Sequence, residues 1–172
     1  MNDEVRVPIA SDADLVPARA HARTLAERLG FSRTDATLIA TAISEVARNI
    51  VVHAGRGEIT MTPLYENDRY GLLVVARDAG PGIRDVEAAI GHGFTAKGGL
   101  GLGLPGARRL VDEFSIESEV RRGTTVTMKT WRFRDELERL REERHRRGLI
   151  RKPSAARMGH CQKVAPRRED GR

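Results

Sequence analysis

Residues 36–54 read ATLIATAISEVARNIVVHA, and the fold of the chain turns on reading them as one helix. Ile39, Ala42, Ile43, Val46 and Ile50 recur at the i, i+3, i+4 spacing of a helix that buries one face. Just upstream, Ser32 followed by Asp35 supplies a capping-box start. Glu45 and Asn49 stand one turn apart and project together, roughly 40° apart at ~100° per residue. A helical wheel puts the pair at the rim of the apolar stripe, with Asn49 the nearer to it. A carboxylate and a carboxamide beside a core need a partner, such as a metal ion, a water or a phosphate. The ordinary alternative, an exposed polar pair on an amphipathic helix, has to be weighed against the rest of the chain.

Working outward, Val5, Val7 and Ile9 alternate as in a short strand, and the polar cluster at 11–14 starts a helix over 15–29 that Gly30 closes. Downstream, AGRGE breaks the organising helix, and two strands are expected at 58–65 and 70–77 around the turn residues Glu66, Asn67 and Asp68. Leu72, Leu73, Val74 and Val75 run without alternation, which predicts a strand covered on both faces. A short helix at 85–90 follows, then the glycine-rich GHGFTAKGG at 91–99, then a helix over 100–111. A hairpin of 114–120 and 124–131 turns through Arg121, Arg122 and Gly123. This order of elements predicts an α+β fold, a two-layer sandwich with helices on one face of a mixed, mostly antiparallel sheet.

Composition bounds the function. The 172 residues suffice for one domain with a proper core, and 40% hydrophobic content supports a globular fold. The single cysteine, Cys161, excludes an internal disulfide and a cysteine metal cluster. No apolar run reaches membrane-spanning length, and the charged start at Asp3 and Glu4 lacks a signal core, so a cytoplasmic protein is expected. The net charge of +6 is unevenly placed. Residues 1–133 hold 17 Lys and Arg against 17 Asp and Glu, whereas 134–172 hold 13 against 7. The domain at 1–133 is neutral and the excess belongs to a basic extension, expected to be helical over 134–147 and then disordered. A nucleic-acid-binding stripe on the domain is therefore not expected.

Two glycine motifs bear chemistry. Asp78-x-Gly80-x-Gly82 stands where a strand ends, with glycines that let backbone approach a flat ligand and a carboxylate that can accept from an exocyclic amine. Gly99-Leu100-Gly101-Leu102-Gly103 opens a helix, and N–H groups free of side chains there suit phosphates. Lys97 adds a cation nearby. A Rossmann fingerprint is excluded because a loop precedes the glycines, and GxxxxGK[ST] is absent.

The ordered set Glu45, Asn49, then Asp78-x-Gly80-x-Gly82, then 99–103, then Gly123-Thr124-Thr125 resembles the GHKL ATPase superfamily of gyrase, Hsp90, histidine kinases and MutL. The runs AISEVARNI, DAGPGI, GGLGLGLPG and RLVDEF, within about 3–133, narrow the resemblance to the RsbT-like serine/threonine kinases of bacterial partner switching. The resemblance implies the Bergerat ATP fold, with Asn49 coordinating Mg²⁺ and Asp78 reading the adenine amine of ATP. It also implies close backbone approach at Gly80 and Gly82, a phosphate lid at Gly99, Gly101 and Gly103, and adenine-side support from Thr124 or Thr125. Glu45 would be the general base toward an acceptor serine or threonine, as phosphoryl transfer needs mainly positioning, Mg²⁺ and a base. The HRD and DFG signatures of the eukaryotic kinase fold are absent. His53, on the apolar side of the helix, reads as a core or rim histidine. The implied partners are a STAS-domain antagonist as substrate and a metal-dependent phosphatase activated afterwards. The alternatives are an anti-sigma kinase of the RsbW or SpoIIAB kind that holds a sigma factor, and a non-catalytic nucleotide-dependent binding module.

Overall fold

The computed structural model of the chain describes residues 4–91 and 103–133. The expectations for Lys97, Gly99 and Gly101, for the start of the helix at 100–111, and for the extension at 134–172 lie outside the described residues.

The organising helix, α2 (Arg33–Asn49), begins as its cap requires. Ser32 Oγ accepts the Asp35 N–H at 3.1 Å, and Asp35 Oδ2 accepts the Ser32 N–H at 3.3 Å. Ile39, Ile43, Val46 and Ile50 are all buried, each contributing about 1.5–3 kcal/mol. The helix does not stay regular to residue 54. Its last turn, Ile50–Ala54, widens into a π turn closed by the Gly55 N–H on the Ile50 carbonyl at 2.8 Å, with Gly55 at φ 76°. The preceding helix, α1 (Leu15–Arg28), packs against α2 and ends in a Schellman motif. There the Phe31 N–H reaches Ala26 O and the Gly30 N–H reaches Glu27 O, both at 3.0 Å, with Gly30 at φ 84°.

Five strands form one sheet: β1 (Val5–Ile9), β2 (Gly57–Glu66), β3 (Arg69–Asp78), β4 (Glu113–Glu119) and β5 (Gly123–Phe133). Their spatial order is β1-β2-β3-β5-β4, and every neighbouring pair is antiparallel, so among the described residues the sheet expected to be mixed, mostly antiparallel, is antiparallel throughout. The register lines up Val7, Ile59, Ala76, Val126 and Ile116 in one row across all five strands. That row faces the helices. Leu72, Val74 and Ala76 of β3 are buried on this side, while Leu73 and Val75 on the other are only half-buried. The expectation of cover on both faces is thus corrected: among the described residues a single helical layer packs on one face, and none packs on the opposite, open face. On the open face, Lys129 and the Trp131 indole hold the Glu113 carboxyl below the usual carboxylate range.

Two short helices complete the described fold. In α3 (Val86–Ile90) the Asp85 side chain caps Ala88 N at 2.9 Å, and α4 (Gly103–Arg109) packs on α2. Among the described residues, no helix is long and apolar enough to cross a membrane.

Candidate functional site

One step along from the apolar row, toward the strand ends, the same register brings Ser118, Thr124 and Asp78 side by side on the helical face. A cavity of about 250 Å³ opens there. Its polar wall includes Asn49, His53, Asp78, Gly82, Gly103 and Thr124, and its apolar wall includes Val46, Ile50, Ala76, Ile83, Leu104 and Val126. Residues far apart in sequence meet because α2 ends, β3 ends and α4 begins at the same end of the strands.

The loop after β3 is fixed by its own backbone. Asp78 Oδ1 accepts the Gly80 N–H at 2.8 Å, and among the described residues Oδ2 has no partner. The loop is stapled to the β4–β5 hairpin: Arg121 N–H donates to Pro81 O and Ile83 N–H to Ser118 Oγ, both at 2.8 Å. Gly82 sits at φ 73° with its α-carbon against the Glu119 carbonyl, where a Cβ has no room. Gly123, at φ 99°, lies equally close to the Asp78 carbonyl. Of the two loop glycines, Gly82 lines the cavity. Gly80 instead packs on the π turn, where a Cβ would come within 2.6 Å of the Ala54 Cβ.

Asn49 also lines the cavity, and its Nδ2 is buried without a hydrogen-bond partner among the described residues. A buried amide left unpaired is costly, so this side chain has capacity for a ligand: Oδ1 toward a hard cation, Nδ2 toward an anionic oxygen. Glu45 departs from expectation. It is not half-sunk at the rim of the apolar stripe but 5% exposed, the one buried charged residue among those described. The wheel counts only the stripe facing the sheet, whereas α4 covers α2 from the side. Glu45 Oε2 accepts the Gly103 N–H at 2.9 Å, which ties α2 to the first described residue after the glycine-rich segment. His53, carried out by the π turn, is exposed at the cavity wall and belongs to the rim, not the core.

Thr124 and Thr125 part company. Thr124 faces the cavity beside Asp78, whereas Thr125, opposite Arg77, is on the open face of the sheet and is withdrawn from the site. Ser118 was not singled out from the sequence. The alternation Phe114, Ile116, Ser118 places it on the buried face, and a hydroxyl at an apolar position of a strand was the available signal.

The cavity thus has apolar walls suited to a flat ring, hydrogen-bond acceptors at the β3 end, and an unsatisfied amide on α2. A family model described as the histidine kinase-like ATPase domain matches residues 9–130. The chain is 44% identical over 131 residues to the serine/threonine-protein kinase RsbT of Bacillus subtilis, covering 76% of this chain and 98% of that protein. It is 33% identical over 119 residues to the anti-sigma F factor of Geobacillus stearothermophilus, covering 65% of this chain and 80% of that one. In fold it is similar to the crystal structure of the RsbU and RsbW domains of a Mycobacterium tuberculosis protein. That match has a TM-score of 0.51 and 23% identity, over 76% of this chain and 33% of that one.

Proposed function

From the premise that the chain belongs to the histidine kinase-like ATPase family, as a serine/threonine kinase of the partner-switching kind, we propose how it works and on what. It binds Mg-ATP in the cavity, transfers the γ-phosphoryl group to a serine or threonine of a STAS-domain antagonist in the cytoplasm, and then activates a metal-dependent phosphatase. The observation that carries this reading is the meeting of the Asn49 amide and the Asp78 carboxylate in one apolar-walled cavity, with Glu45 one turn behind Asn49. In it, Asp78 accepts from the adenine amine, Gly82 offers close backbone, Thr124 supports the same edge, and Asn49 turns its oxygen to the metal. Mg²⁺, when bound, neutralises charge on the phosphates. Glu45 takes the acceptor hydroxyl proton through Oε1, which has no partner among the described residues, while Oε2 keeps Gly103 in place.

The test is calorimetric titration with ATP, with and without Mg²⁺. Wild type is expected to bind more tightly with the metal, and Asn49→Ala to lose that increment while keeping its fold. Equal Mg²⁺ dependence in both proteins would remove Asn49 from the site.

The similarity to an anti-sigma F factor supports a second reading, an anti-sigma kinase that holds a sigma factor. Co-purification separates the two, since a sigma factor retained in the presence of ATP belongs only to the second.

The kinase machinery is assigned to 1–133 and the basic extension at 134–172 to encounter with an acidic partner. Deleting residues 154–172 is expected to leave ATP affinity unchanged and to weaken the salt dependence of partner phosphorylation. Loss of ATP binding on that deletion would place the extension within the catalytic domain.

A further inference from the structure

Ser118 lies behind the cavity wall, where its hydroxyl meets three groups from three segments. Ile83 N–H is 2.8 Å away, the Gly123 carbonyl 3.0 Å and Thr124 Oγ1 2.9 Å. A serine hydroxyl has one proton and two lone pairs, so these contacts saturate it. The Ile83 amide can only donate and occupies one lone pair. The Gly123 carbonyl can only accept and takes the proton. The remaining contact must then run from Thr124 to Ser118. Were it reversed, the Gly123 carbonyl would face a Ser118 lone pair at 3.0 Å with no proton between them, two acceptors opposed in a part-buried setting.

The consequence lies in the cavity. With its only proton turned toward Ser118, Thr124 presents nothing but lone pairs to a ligand. Asp78, its direct partner across the β3–β5 ladder, has Oδ1 filled by Gly80 and offers Oδ2, also an acceptor. A water between this wall and a ligand would be turned the same way, hydrogens toward the wall.

We propose that Ser118 is a positioning residue that fixes the polarity of Thr124, so that this end of the cavity admits a ring bearing an exocyclic amine and rejects one bearing a carbonyl there. The proposal rests on the nucleotide-binding reading above. Ser118 does not touch the ligand; it acts by committing the Thr124 proton.

The probes are Mg-ATP and Mg-ITP, which differ at the 6-position, amine against carbonyl, with the N1 proton that accompanies the carbonyl. Titrated into the full-length protein, wild type is expected to favour ATP by at least about tenfold. Ser118→Ala releases the Thr124 hydroxyl to donate into the cavity, and the ATP-to-ITP preference is expected to fall by about tenfold. Loss of the Ile83 anchor would weaken both nucleotides together and cancel in that ratio. Ser118→Thr retains the hydroxyl and is expected to keep the preference. Thr124→Val, which removes the acceptor itself, is expected to lower it, and carries the test if Ser118→Ala does not fold. A folded Ser118→Ala protein with the wild-type ratio, or a Thr124→Val protein with that ratio, overturns the proposal while leaving ATP binding in place. A wild-type protein that binds neither nucleotide overturns the nucleotide reading, and this inference with it.

Discussion

Replacing Glu45 with glutamine is expected to lower single-turnover phosphorylation of the protein substrate by about 10²–10⁴-fold while leaving Mg-ATP affinity close to wild type. The choice of glutamine follows from burial. Because Glu45 is 5% exposed and its Oε2 holds the Gly103 N–H at 2.9 Å, truncation to alanine would do more than remove a base. It would leave a backbone donor unpaired, at roughly 1–3 kcal/mol, and open space between α2 and α4. Glutamine keeps an acceptor for Gly103 through its carbonyl oxygen, while an uncharged NH₂ takes the place of Oε1 and the ability to take a proton is lost. Thermal melts of both variants beside the kinetics separate the two roles: the alanine variant is expected to melt lower, the glutamine variant near wild type. Equal single-turnover rates for wild type and Glu45→Gln would leave this carboxylate with a structural role alone.

Asp78→Asn is expected to fold normally and to lose ATP affinity by roughly 10²-fold. The structure dictates how the new amide would sit. Gly80 N–H, 2.8 Å from Oδ1, needs an acceptor, so the asparagine oxygen stays on that side and its NH₂ turns into the cavity. A donor would then confront the amine of adenine where an acceptor had been. Calorimetry with Mg-ATP measures the loss, and an unchanged melting temperature shows that the loop after β3 is intact. Undiminished ATP affinity in a folded Asp78→Asn protein would remove the carboxylate from adenine recognition.

Much of the fold was legible because its signals are local. The capping box at Ser32 and Asp35, the Schellman closure at Gly30 and the 3.6-residue periodicity through Ile39, Ile43, Val46 and Ile50 involve groups within a few residues of one another. Backbone geometry satisfies such signals whatever packs on them. The same holds for the strand ends around Asn67 and Gly123, where the chain takes positive φ. Asn49, Asp78 and Gly82, and the pair Thr124 and Thr125 without a choice between them, are legible from the order of motifs and the superfamily it resembles, and the fold brings Asn49, Asp78, Gly82 and Thr124 to one cavity.

What the sequence could not determine depended on partners distant along the chain. A helical wheel assigns Glu45 to a rim because it knows only α2; burial came from α4, whose first residue is 58 positions later. Thr124 and Thr125 are equivalent as letters, and only the pairing of Thr124 with Asp78 shows which of the two faces the helices, since a one-residue slip in register exchanges them. Periodicity could not show that, among the described residues, no layer packs over Leu73 and Val75, because what covers a face comes from other segments. Ser118 carries no motif. Its hydroxyl acquires meaning only when β4, β5 and the loop after β3 bring Gly123, Thr124 and Ile83 to within 3.0 Å of one oxygen. Local propensity and motif order determined the elements and nominated the site. Sheet register and the packing of α4 decided which side chains face it, because both arise from contacts between segments that no short window of sequence contains.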